Sequence, residues 1–220
     1  MNTQLKLASG LMCSLILTAC PASPPKEPAN HDVGHTAPSG APMDHSQHAS
    51  LEAAEPTDQS LYQLESKWQT QTGKTISLGE LGGKPQVLAM VYASCKNACP
   101  RIIADMKRIQ ADSAKLSPNG IRLVLVSIDP EVDTPERLAE LARKSQLGDQ
   151  WLLLRGGSDE VMELAALLGV KYRKISAQDY AHTNMITVLN AKGEIVHRQQ
   201  GLGVDPAQTL SALASLRPPG

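Results

Sequence analysis

The chain has 220 residues, a formal net charge of −1 and no phenylalanine, and aromatic residues make up only 3% of it. A near-neutral chain without a basic stripe offers no electrostatic footprint for nucleic acid, which excludes a polyanion partner. The length suits one medium globular domain plus extensions, with a core built from Leu, Ile, Val, Ala and Met.

At the N-terminus Lys6 precedes an apolar run from Leu7 to Leu17, and Leu17-Thr18-Ala19-Cys20 resembles the lipobox of a bacterial lipoprotein precursor. The run is short against the roughly 20 apolar residues of a spanning helix. By that resemblance residues 1–19 are a signal peptide that takes Cys13 with it. Cys20 is then lipidated, which places an exported protein on a membrane facing the periplasm. Exported thiols meet oxidising conditions, so the remaining cysteines, Cys95 and Cys99, need a reason to stay functional.

Residues 20–58 are rich in Pro, Ala, Ser and Gly with almost no aliphatic side chains, too little apolar surface to offset the entropy of folding. They read as a disordered tether with a reach of roughly 30–40 Å. His31, His35, His45 and His48, four of the six histidines, lie within it together with Met43. Imidazole and thioether suit copper or zinc, so this segment reads either as a polar linker or as a labile metal-scavenging tail.

From residue 59 onward the pattern becomes that of a folded domain. Lys74 to Leu78 alternates like a strand, and the turn Gly82-Gly83-Lys84-Pro85 feeds the apolar run Gln86 to Tyr92, a buried strand. Pro100 suits the first position of a helix running to about Lys115, with Ile102, Ile103, Met106 and Ile109 on its core face. Asn119-Gly120 breaks the chain before Ile121 to Ile128, a second buried strand. Strand, helix, strand implies a parallel pair with a right-handed crossover.

Asp129-Pro130 ends that strand, and Thr134-Pro135 opens a helix turning Leu138, Leu141 and Ala142 inward. Trp151 to Leu154 reads as a short strand. Ser158, Asp159 and Glu160 start a helix whose apolar side carries Val161, Met162, Leu164, Ala165 and Leu168, ending at Gly169. Asn184 to Leu189 and Glu194 to Gln199 flank Asn190-Ala191-Lys192-Gly193 as a hairpin. Asp205-Pro206-Ala207-Gln208 resembles a capping box before a helix with Leu210, Leu213 and Leu216. This order is that of an α/β, thioredoxin-like fold with a central mixed sheet flanked by helices.

Between the first buried strand and its helix stands Cys95-Lys96-Asn97-Ala98-Cys99-Pro100. A helix N-terminus at Cys99 predicts a stabilised thiolate there. The four-residue separation allows both sulfurs to bridge one soft metal ion or to close a disulfide. Lys96 reads either as a support for thiolate charge or as a solvated side chain.

The segment from Gly73-Lys74-Thr75-Ile76-Ser77-Leu78 through Gly83-Lys84-Pro85 to Cys95–Pro100 resembles the Sco/SenC family of thioredoxin-fold copper proteins. Ser127-Ile128-Asp129-Pro130-Glu131-Val132-Asp133-Thr134-Pro135 matches its second signature, and His182 before Met185–Leu189 a third. The resemblance implies that Cys95, Cys99 and His182 ligate one copper, as Cu(I) and also as Cu(II). It implies a metallochaperone that takes copper from an upstream periplasmic donor and delivers it to a cuproprotein, the CuA-bearing subunit of cytochrome c oxidase. Two features depart from the family: the loop Lys96-Asn97-Ala98 has no proline, and Ala181 replaces an acidic residue before the histidine. No proline occurs from Ile175 to Val204, so His182 stands where thioredoxins place a cis-proline.

The same cysteines suit a second role, a thiol–disulfide oxidoreductase that keeps the acceptor's cysteines reduced, with Cys95 and Cys99 as a reversible dithiol. A Thr-x-x-Cys setting of peroxiredoxin type is absent. Asp129 reads either as a carboxylate supporting the thiols or as a turn residue. Met185 reads as a core filler and His197 as an exposed strand residue.

Overall fold

The computed structural model describes residues 57–114 and 120–216. A short 3-10 helix, Leu61–Gln63, leads into β1 (Lys67–Thr70) and β2 (Thr75–Ser77), an antiparallel pair with Trp68 opposite Ile76. The sequence reading found β2 and missed β1, whose four residues alternate Trp68 and Thr70 inward. Then come β3 (Gln86–Val91), α1 (Ala98–Ser113), β4 (Arg122–Ser127), α2 (Pro135–Lys144), β5 (Trp151–Arg155) and α3 (Ser158–Leu168). A two-stranded unit, β6 (Tyr172–Lys174) and β7 (Tyr180–His182), precedes β8 (Met185–Leu189), β9 (Ile195–Gln200) and α4 (Ala207–Ser215).

The main sheet runs β2-β1-β5-β4-β3-β8-β9. At its centre β3, β4 and β5 are parallel, with β3 and β4 in register from Gln86↔Arg122 to Val91↔Ser127. All six β3 residues are buried, which is why the run shows no polar alternation. β8 joins β3 antiparallel and β1 joins β5 antiparallel, so the sheet is mixed as expected. Helices α1 and α2 pack beside β3 and β5, while α4 packs against β8, β9 and α1. Trp68, Met90, Ile102, Met106, Leu123 and Leu153 fill the interior. Among the described residues no helix is long and apolar enough to cross a membrane.

Two local features differ from the sequence expectation. Met162 is 60% exposed, although Val161, Leu164, Ala165 and Leu168 of the same helix are buried. At α4 no side chain caps the Pro206 N-cap position; the Asp205 carboxylate accepts only from the Ala207 amide, so the expected reciprocal box does not form.

This topology gives the domain two poles. The C-terminal ends of β3 and β4 and the start of β8 share one of them. At the other, Ser60 bridges Glu194, the Leu61 amide donates to Gly193 O, and the Gly83 amide donates to Ala191 O. Gly193 has φ +83, and a Cβ there would lie 2.7 Å from the Tyr62 ring, so glycine is required.

Candidate metal centre

Tyr92 follows β3 into the core, and its carbonyl accepts from the Cys95 amide at 3.2 Å, closing the turn that carries the first thiol. Helix α1 begins at Ala98, two residues earlier than Pro100 suggested, and its N-cap residue Asn97 makes no side-chain cap. The Cys95 sulfur takes that place, accepting from the Cys99 amide at 3.3 Å. Cys99 thus lies inside the first turn and points into the core, 1% exposed, whereas Cys95 is partly exposed. Both are free thiols.

The two sulfurs differ in acidity, and in the opposite sense to the sequence expectation. Burial pushes the Cys99 thiol well up, helped by the hydrogen bond and charge of Cys95 and by the Asp133 carboxylate. Burial opposes ionisation of Cys95 too. There it is outweighed by hydrogen bonds from the Cys99 thiol and from the Cys99 and Asn97 amides, which hold Cys95 below the ordinary thiol value. The helix N-terminus therefore stabilises Cys95, which caps it from outside; at Cys99 desolvation outweighs the dipole.

His182 ends β7, paired with Tyr172. Its Nδ1 lies 3.3 Å from Thr183 O, while Nε2 is shielded from solvent and has no protein partner. Burial lowers its proton affinity against smaller opposing effects of the Thr183 carbonyl and Asp179, which favours the neutral, ligating imidazole. One ligand atom from each of Cys95, Cys99 and His182 lies within 4.8 Å of the others, the only such cluster of three or more among the described residues. Two sulfurs and an orphaned buried nitrogen fit a soft monovalent ion such as Cu(I).

The shell around this triad was largely missed by sequence reasoning. The Tyr92 hydroxyl donates to Asp179, and the Tyr180 amide donates to the Tyr92 oxygen at 3.3 Å. The Tyr180 hydroxyl donates to Asp129 at 2.9 Å, and Lys174 stands 3.8 Å from the same carboxylate. Ser94 donates to Gln178 O at 3.3 Å. These contacts clasp the β6–β7 hairpin, and with it His182, against the cysteine loop. Asp129, 2% exposed, is more than a turn residue: it supports the hairpin through Tyr180.

Asp133 lies deeper. Its Oδ2 accepts from the Ala93 amide at 2.9 Å and from the Ser127 hydroxyl at 2.7 Å. Ser127 and Asp133 belong to one sequence signature, but no sequence signal marks their contact or the reach to Ala93. Lys96 is exposed, and Met185 packs against the core as expected. His197 differs from expectation: it is half-buried, with Nε2 shielded from solvent. Cys13, Cys20, His31, His35, Met43, His45 and His48 lie outside the described residues.

A family model described as SCO1/SenC matches residues 54–217. A SCO1 protein homolog of Bacillus subtilis strain 168 is 28% identical over 143 residues, 63% of this chain and 74% of that one. Among solved structures, a SCO1/SenC family lipoprotein from Bacillus anthracis superposes with a TM-score of 0.63 at 22% identity, covering 70% of this chain and 95% of that one. Arabidopsis thaliana ScoI with copper bound gives 0.59 at 19% identity over 68% of this chain and 91% of its own. At these identities the two superpositions establish the shared fold.

Proposed function

Because the chain belongs to the SCO1/SenC family, we propose that Cys95, Cys99 and His182 bind copper and that the protein is a metallochaperone passing it to a cuproprotein, the CuA centre of cytochrome c oxidase. The observation that carries this reading is the convergence of three donor atoms from three separate segments within 4.8 Å. The copper-bound Arabidopsis relative supports the choice of metal. Residues 1–19 serve as the signal peptide, Cys20 bears the lipid, and residues 20–58 tether the copper-binding domain, 59–220, on the periplasmic face. Copper is cargo here. Loading requires Cys99 to give up its proton, since the thiolate is the ligand. Unloading proceeds by stepwise exchange, the acceptor's thiolates displacing Cys95, Cys99 and His182, and no electron changes hands.

The test is an anaerobic Cu(I) titration of the reduced protein against a competing chelator, followed by presentation of the loaded protein to a metal-free CuA domain. Tight one-to-one binding and transfer are expected. Cys95→Ser and His182→Ala should each weaken binding by more than the roughly 10–100-fold typical of losing an outer-shell partner. Weak binding indifferent to His182 would remove the copper reading.

The asymmetry of the thiols favours a second activity at the same site, reduction of an acceptor disulfide. The Cys95 thiolate attacks one acceptor sulfur, the Cys99 thiolate resolves the mixed disulfide, and two electrons pass to the acceptor as Cys95–Cys99 closes. His182→Ala then abolishes copper binding and keeps reductase activity; loss of both would leave no separate redox role.

A further inference from the structure

Next to His182, between the base of the β6–β7 hairpin and the start of β8, lies an open pocket of about 510 Å³. Its wall includes Lys171, Tyr172, Arg173, His182, Asn184 and Gln200, and no acidic residue lines it. Neither the Lys171 nor the Arg173 side chain forms a salt bridge among the described residues, although Lys174, next along the chain, does. Asn184 Oδ1 is buried there without a hydrogen-bond partner. The volume falls in the range of small-molecule sites, roughly 300–1,000 Å³.

We propose that this pocket receives a low-molecular-mass, carboxylate-bearing peptide thiol, the carrier from which the site takes its copper. The inference rests on the copper reading of Cys95, Cys99 and His182. Each part of such a molecule has a counterpart. Carboxylates meet the two unpaired cations, which favour anions through charge-assisted hydrogen bonds. A peptide N–H faces the Asn184 side chain in the wall. The carrier's sulfur sits beside His182, which belongs to both the pocket and the triad.

Transfer is then a ligand exchange. The bond between Cu(I) and the carrier thiolate breaks as bonds to Cys95, Cys99 and His182 form. The Cys99 proton leaves on the departing carrier, which is released as a thiol. Charge is conserved and copper stays Cu(I).

The experiment uses the reduced, metal-free full chain and S-methylglutathione, which keeps the carboxylates and amides but carries no thiolate, with binding followed by NMR. Saturable one-to-one binding is expected, with shifts at Lys171–Arg173 and Asn184. The double variant Lys171→Glu/Arg173→Glu, checked for folding by its spectrum, should weaken it at least about tenfold. Esterifying the probe's carboxylates should do the same. No saturation below about 10 mM, or binding indifferent to charge reversal or esterification, overturns the proposal. Wild-type Cu(I) affinity against a thiol-free chelator separates the two claims: its absence defeats the copper site, whereas its presence without probe binding defeats only the carrier site.

Discussion

Asp133 is fully buried, and its Oδ2 holds the Ala93 amide and the Ser127 hydroxyl together, while Oδ1 is buried without a partner. It ties the end of β4 to the loop that carries Cys95. Asp133→Ala leaves a buried hydroxyl and a loop amide without their acceptor, at a cost of about 2–4 kcal/mol. It should also loosen Cu(I) binding by roughly 10–100-fold. Asp133→Asn retains one oxygen for both donors and should cost far less; urea unfolding and chelator competition on the two variants check the contrast. Burial raises the Asp133 carboxyl above its ordinary range, against the lowering effect of the Ser127 and Ala93 hydrogen bonds. The folded state therefore binds this proton more tightly than the unfolded chain. The resulting stability is complete below the unfolded value of about 3.9 and is lost as pH rises through the raised one. Asp133→Asn should remove that part of the slope, read as the difference between wild-type and variant urea midpoints across acid pH. A difference that does not vary with pH would show that Asp133 titrates normally.

At the scale of elements, the β6–β7 hairpin is held by few apolar contacts and several polar ones. Tyr92 and Tyr180 rings lie 5.2 Å apart, and the Tyr92 and His182 rings meet edge to face at 5.9 Å. Tyr180→Phe keeps the ring contacts and deletes the hydrogen bond to buried Asp129. We expect a loss on the order of 1–2 kcal/mol. Hydrogen exchange should quicken in Tyr172–Lys174 and Tyr180–His182 while β3 and β4 stay protected, and Cu(I) affinity should fall about tenfold. Unchanged exchange in the hairpin would mean that ring packing alone holds it. The hairpin was also illegible in the sequence. Its strands are three residues long, with half of their residues exposed and none buried, and are joined by residues 175–179, so neither periodicity nor an apolar run announces them. By contrast β3 and β4 were plain because both faces are buried. Helix α1 starts two residues before the position that Pro100 marks, because a proline at the third helical position is equally free of a lost bond. That shift moved Cys99 from the mouth of the helix into its core face. The triad itself was legible through motif resemblance, while its support by Asp133, Tyr180 and Asp129 depends on side chains far apart in sequence.

Across the whole molecule, the two poles of the sheet lie at opposite ends of its central strands. Gly193→Ala at the pole distant from the thiols forces a positive φ on alanine and a clash with Tyr62. It should destabilise the fold by about 1–3 kcal/mol yet leave Cu(I) affinity within experimental error. A matching loss of affinity, measured at a temperature where the variant is folded, would show that the poles are coupled. The same arrangement decides which way the domain faces. The chain arrives through Thr57 and Ser60 at the Gly193 pole, and β3 carries the thiols about 20 Å further on. Should Cys20 carry the lipid proposed above, the anchor would join the domain at the end opposite its thiols, and the face that holds Cys95 and His182 would stay open to an acceptor. Lengthening or shortening residues 20–58 would then change which acceptors come within reach without touching a single ligand.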